Sequence, residues 1–229
     1  MVKKLLIAAS IVSASFAVQS SDEMMKKGKE IFEQTCSGCH GKDGTGMKQG
    51  GFSVQPRNLT KSILNENQIY LVAKKGAYHW GAVTTGMPAW EGVYDDDSLK
   101  SVAHYIYETL SKDSSKKVEN YKYDSSKLSE KALKRGKKIF FRNCAYCHGK
   151  EGKGNGVATY NPEKSIFPYD LTKLILSEKQ IFLFAKFGGK HWGSQKDDMP
   201  GWGVKYDDET LMGVARYVEE YLKKKRDRN

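Results

Sequence analysis

Cys36-Ser-Gly-Cys39-His40 and Cys144-Ala-Tyr-Cys147-His148 hold all four cysteines of the chain and stand 108 residues apart. Working outward from them, the sequence around the first run recurs around the second, which is the mark of an internal duplication. Upstream, Gly28, Ile31 and Phe32 match Gly136, Ile139 and Phe140; downstream, Gly41, Gly44 and Gly46 match Gly149, Gly152 and Gly154. After a loop four residues longer in the second copy, Pro56, Gly76, His79, Trp80, Met87, Pro88, Trp90, Tyr94, Leu99 and Tyr105 match Pro168, Gly188, His191, Trp192, Met199, Pro200, Trp202, Tyr206, Leu211 and Tyr217. Both copies therefore keep one set of chemical groups.

Two thiols three positions apart, followed at once by a histidine, form the attachment pattern of c-type haem. The thiols bond the porphyrin and the adjacent imidazole reaches the iron. Two covalently attached haems are expected, on Cys36, Cys39, Cys144 and Cys147, with His40 and His148 on iron. A four-cysteine zinc site and a dithiol redox pair compete. Zinc does not explain the duplicated histidines, and a dithiol does not explain the rest of each repeat. For the opposite iron position the candidates are Met87 and Met199, each ahead of a proline in an irregular loop. The duplicated His79 and His191 are the rivals. Trp80, Trp90, Trp192 and Trp202 are expected to line the pockets, their indole nitrogens reaching a polar partner such as a propionate. Pro56 and Pro168 are expected to bring backbone carbonyls to the second nitrogens of His40 and His148. The glycines after each motif suit tight turns and do not make a phosphate loop. His104, whose counterpart is Arg216, reads as structural.

Each copy shows three helical stretches and no strand pattern, so the fold class is all-α, two tandem units of a few helices around one haem. In the first copy the helices run over about 22–35, 62–75 and from the acids Asp95 to Asp97 onward, with Leu99, Val102, Ala103, Ile106 and Leu110 on one face. So few large apolar positions make a thin core, which a haem would fill. The expected domains are 22–110 and 129–224. Residues 111–128, rich in Ser, Lys and Asp, read as a solvated linker. Residues 1–20, with Lys3 and Lys4 before the apolar run Leu5 to Val12, read as an export signal. No other segment is long and apolar enough to span a membrane.

Net charge is +11 over 229 residues. Lys and Arg number 10 against 11 acids over residues 22–110, but 21 against 13 over residues 129–229. The basic side chains are interspersed with acids, which argues against nucleic acid as a ligand. An acidic redox partner docking on the second domain, or peripheral contact with an anionic lipid surface, suits this charge better.

With these motifs in place, the chain resembles the class I c-type cytochromes, and specifically the di-haem cytochrome c4-like arrangement, over nearly all of residues 22–224. The resemblance rests on Cys-x-x-Cys-His-Gly-Lys in both copies, Met-Pro followed by Trp, and closing helices with Tyr105 and Tyr217. It is also similar to the di-haem subunits of certain terminal oxidases. It implies that Gly28 with Phe32, and Gly136 with Phe140, cross the closing helices at those tyrosines. It further implies a periplasmic carrier of single electrons, not an enzyme, working between a quinol-oxidising complex or dehydrogenase and a terminal oxidase or reductase. The alternative is an electron-transfer or catalytic subunit acting on sulfur or nitrogen compounds. His-Trp-Gly at 79–81 and 191–193 lies outside the general family pattern.

Overall fold

The computed structural model describes residues 20–47, 55–83, 86–160, 166–196 and 199–223; the expected export signal, Ser20 apart, lies outside them. Among the described residues there is no strand, and the protein is all-α with two tandem units. The first contains α1 (Ser21–Ile31), α2 (Ser37–His40), α3 (Glu66–His79) and α4 (Asp96–Ile106). A helix α5 (Lys112–Asn120) follows, and the second unit contains α6 (Glu130–Ile139), α7 (Ala145–His148), α8 (Glu178–Phe187) and α9 (Asp208–Tyr217).

Capping side chains set the helix starts. Ser20, Asn65, Asp95, Ser129, Ser177 and Asp207 each accept a backbone N–H of the first turn, satisfying a donor that lacks an intrahelical partner. Asn65 with Gln68, and Ser177 with Gln180, complete reciprocal capping boxes. The second helix consequently starts at Glu66 rather than near residue 62, because Asn65 is its cap. The helical path of α3 breaks at Gly76, which takes φ 75° and ψ 161°. Its counterpart Gly188, at φ 82°, ends α8. A Cβ at Gly76 or Gly188 would also lie within 3 Å of the Met87 or Met199 carbonyl oxygen, so glycine is required there twice over.

In each unit the first helix crosses the last at a glycine. A Cβ on Gly28 would lie 2.0 Å from the Ser101 carbonyl oxygen, and one on Gly136 would lie 2.2 Å from the Gly213 carbonyl carbon. Phe32 packs on Tyr105 with ring centres 5.5 Å apart, and Phe140 on Tyr217 at 5.1 Å. Buried Ile31, Phe32, Ile69, Val102, Ala103, Tyr105 and Ile106 form one core, while Phe140, Phe182, Leu183, Leu211, Val214 and Leu222 anchor the other.

Residues 111–128 depart from the expected solvated linker. Much of the segment is the helix α5, with Ser114, Ser115 and Val118 buried. Ser114 and Ser115 hydroxyls donate to the carbonyls of Thr60 (2.9 Å) and Leu64 (3.0 Å), while Val118 joins the core of the second unit. The segment is thus fastened to both units.

Candidate haem sites

The chain reaches each cysteine cluster through a local widening of its helix. Phe32–Cys36 and Phe140–Cys144 form π-type turns, the wider winding that commonly marks functional positions. Each leads into the short helix that carries the second cysteine and the histidine. Gly41 (φ 76°) and Gly149 (φ 78°) then turn the chain away. The four cysteines are free of disulfides.

Burial pushes the Cys36 thiol up to about 11 and the Cys144 thiol up to about 12, with the neighbouring Cys39 and Cys147 adding to each rise. A reactive redox dithiol needs the opposite shift. Among the described residues no three His, Cys, Asp or Glu side chains converge as a metal cage would require, so the four-cysteine zinc arrangement is not assembled.

His40 Nδ1 lies 3.1 Å from the Arg57 carbonyl oxygen, and His148 Nδ1 lies 3.0 Å from that of Tyr169. A carbonyl only accepts, so both Nδ1 atoms carry the proton and both Nε2 atoms keep a free lone pair. Burial lowers both imidazoles below the ordinary histidine range, against a smaller opposing effect of the carbonyl, and so favours the neutral form that binds metal. The carbonyls come from the residues after Pro56 and Pro168, one position beyond the prolines themselves. Neutral, oriented imidazoles beside paired thiols are the donor set that a covalently attached haem requires.

Met87 and Met199 are half-buried, in loops tied to the helix ends. Ala77 N–H donates to the Met87 carbonyl at 3.1 Å and Gly189 N–H to the Met199 carbonyl at 2.8 Å. His79 and His191 are exposed, with their rings edge-on to Trp80 at 4.7 Å and Trp192 at 4.4 Å. His79 opens on a surface notch shared with Lys75, Tyr78 and Lys173.

The tryptophans divide into two kinds. Trp80 and Trp192 donate their indole N–H to the carbonyls of Leu71 and Leu183, both at 3.0 Å, so these nitrogens are satisfied by backbone rather than by a propionate. Trp90 and Trp202 are half-buried and pack on Tyr94 and Tyr206 at 6.2 and 6.1 Å. His104 Nδ1 meets Glu66 at 3.2 Å where Arg216 meets Glu178 at 2.8 Å, one structural position served by two residue types.

Residues that the sequence reading did not single out join the two units. Asn58 N–H donates to the Gly193 carbonyl at 2.9 Å, and Asp170 N–H to the Gly81 carbonyl at 2.7 Å. Gln68 and Gln180, both buried, exchange amide hydrogen bonds at 2.9 Å each way. They also donate to the carbonyls of Ile175 and Ile63, respectively. Arg57 reaches the Trp192 carbonyl at 2.5 Å and lies over the Phe184 ring. The duplicated His-Trp-Gly was the available signal, since its glycines are the docking points.

The family model for cytochrome c oxidase, cbb3-type, subunit III matches residues 23–106 and again 131–218. The cbb3-type cytochrome c oxidase subunit FixP of Bradyrhizobium diazoefficiens is 29% identical over 92% of this chain and 67% of its own length. Cytochrome c6 of Tetradesmus obliquus is 31% identical over 38% of this chain and 91% of its own length. A solved reducing HAO-like protein complex of Kuenenia stuttgartiensis shares 23% identity at a TM-score of 0.46, over 84% of this chain and 94% of that one. The chain spans 61% to 68% of the length of the first oxidase-subunit relatives it matches. Among the described residues no helix is long and apolar enough to cross a membrane. The chain belongs to the cbb3-type subunit III family of cytochromes c: it is a di-haem class I cytochrome that transfers electrons, and its cofactor is covalently attached c-type haem.

Proposed function

We propose that the chain is a periplasmic carrier of single electrons, exported by residues 1–20 and built of domains 22–110 and 129–224 joined by 111–128. It takes electrons from a quinol-oxidising complex or a dehydrogenase and delivers them to a terminal oxidase or reductase. The observation that carries this reading is the matched fixing of His40 and His148, each proton-bearing at Nδ1 with Nε2 free. In it, Cys36, Cys39, Cys144 and Cys147 hold the porphyrins, and His40 and His148 bind iron. Met87 and Met199 would supply the second protein ligand to each iron, in keeping with loops tied to the helix ends and with the exposure of His79 and His191. Trp80, Trp90, Trp192 and Trp202 line the pockets. When bound, each haem supplies a one-electron iron couple. Two protein ligands per iron suit a carrier, because substrate chemistry needs an open or displaceable position.

Carbon monoxide added to the reduced protein tests the point. Inertness on the mixing timescale is expected; rapid, complete binding would replace the carrier with a catalytic haem. Similarity to oxidase subunits favours a second, compatible reading, in which the chain is the electron-transfer subunit of a respiratory oxidase. Copurification with an intact oxidase complex distinguishes the subunit from the free shuttle.

Docking is assigned to the second domain. Helix α6 exposes Lys131, Lys134, Arg135, Lys137 and Lys138, a basic face suited to an acidic redox partner or an anionic membrane surface.

A further inference from the structure

We propose that each proximal imidazole is hydrogen-bonded, through a single peptide group, to the methionine loop of the other domain, so that Gly81 tunes the haem of the second domain and Gly193 that of the first. This inference rests on the reading of His40 and His148 as iron ligands.

The acceptor of His148 Nδ1–H is the Tyr169 carbonyl, and the amide N–H of that same peptide group belongs to Asp170. Asp170 N–H donates to the Gly81 carbonyl at 2.7 Å. The Gly81–Ala82 peptide group extends the chain by one bond, because Ala82 N–H donates to the Ala77 carbonyl at 3.1 Å; the separate Gly76–Ala77 peptide group ties Ala77 N–H to the Met87 carbonyl, also at 3.1 Å. The reciprocal path starts at His40 and the Arg57 carbonyl, and crosses from Asn58 N–H to the Gly193 carbonyl at 2.9 Å. Ser194 N–H, of the Gly193–Ser194 peptide group, then donates to the Gly189 carbonyl at 3.0 Å, while the separate Gly188–Gly189 peptide group ties Gly189 N–H to the Met199 carbonyl at 2.8 Å. Both crossings need glycine. A Cβ on Gly81 would sit 2.4 Å from the Asp170 carbonyl oxygen, and one on Gly193 would sit 2.4 Å from that of Asn58, with φ at 96° and 93°. This gives the duplicated His-Trp-Gly a role that packing within either domain does not supply.

The direction of the effect follows from polarisation. An amide whose N–H is engaged has a more negative carbonyl oxygen, and consecutive bonds strengthen one another by on the order of 10–30%. The better acceptor draws the imidazole proton, makes Nε2 more basic, and favours ferric iron. Losing the crossing bond therefore raises the potential of the haem across the interface.

The test is Gly81→Ala and Gly193→Ala in the full-length holoprotein. Gly81→Ala is the cleaner arm, since Tyr169, unlike Arg57, brings no guanidinium to the interface. It is read by the Nδ1–H proton resonances of His40 and His148 in the reduced protein, and by the two midpoint potentials. Gly81→Ala is expected to move the His148 resonance upfield, leave His40 in place, and raise one reduction equilibrium constant about two-fold. Gly193→Ala is expected to do the reverse. A shift confined to the imidazole of the substituted domain, or none, overturns the proposal. Should neither variant fold, amide exchange in the unaltered reduced protein decides: Asn58 and Asp170 are expected to be protected like core helix amides, and fast exchange overturns the crossing. Absence of haem from the unaltered protein would instead remove the underlying ligand reading.

Discussion

At the scale of single residues, the decisive atoms are the Nδ1 protons of His40 and His148, since each commits its ring to present Nε2 to a metal. The cysteines and these histidines were legible because their chemistry is written in consecutive positions. The acceptors were legible only to within one residue, because a proline fixes its own φ and not the direction of the following carbonyl. Trp80 and Trp192 find the expected polar partner in a backbone carbonyl, which the sequence does not name because an indole meets a carbonyl nine residues back only once the chain turns at Gly76 or Gly188. Ligation by methionine leads to a direct prediction. Met87→His and Met199→His should each remove about half of the far-red sulfur-to-iron absorption of the oxidised protein and lower one of the two potentials. Absence of the band from the unaltered protein would shift the assignment to His79 and His191, and an unchanged band in both variants would mean that another sulfur binds iron.

At the scale of elements, the helix crossings decide stability. Gly136 abuts backbone atoms of Gly213 and Val214, which cannot rotate aside as a side chain could. Gly136→Val should therefore destabilise the holoprotein by about 3 kcal/mol, at the upper end of overpacking costs, as measured by guanidinium unfolding. A change below about 0.5 kcal/mol would mean that the crossing is looser than it looks. The three helices of each unit were readable from apolar spacing, whereas α5 was not. Its sequence Lys112-Asp-Ser-Ser-Lys-Lys-Val-Glu-Asn has one apolar side chain, Val118, and the rest of its buried face consists of serines that hydrogen-bond to Thr60 and Leu64. Hydropathy cannot register a face held by hydroxyls. The exposed lysines of α6 lead to a second element-scale prediction: Lys137→Glu with Lys138→Glu should slow electron exchange with an acidic partner, and the difference should shrink as salt rises. A rate indifferent to both salt and substitution would place docking elsewhere.

At the scale of the whole molecule, the two units relate as near-symmetric halves, with Gln68 and Gln180 facing each other where they meet. Removing one buried amide leaves one N–H of the other, and the isoleucine carbonyl that the lost amide served, without a partner, which costs about 1–3 kcal/mol although the remaining glutamine keeps its capping bond. Gln68→Leu and Gln180→Leu should each destabilise the protein, and the double variant should lose less than the sum by about 1 kcal/mol, as read from a double-mutant cycle. Strict additivity would show that the amide pair does not couple the halves. Duplication was plain in the sequence, but the interface was not, because matched positions show what each copy keeps and not how the copies face each other. The central claim is that both copies carry a haem. Intact-mass spectrometry and haemochrome absorbance of the chain matured with haem-attachment machinery test it most directly. The account predicts two porphyrins per chain, falling to one in the Cys36→Ser, Cys39→Ser variant, whereas a colourless chain without added mass would contradict it.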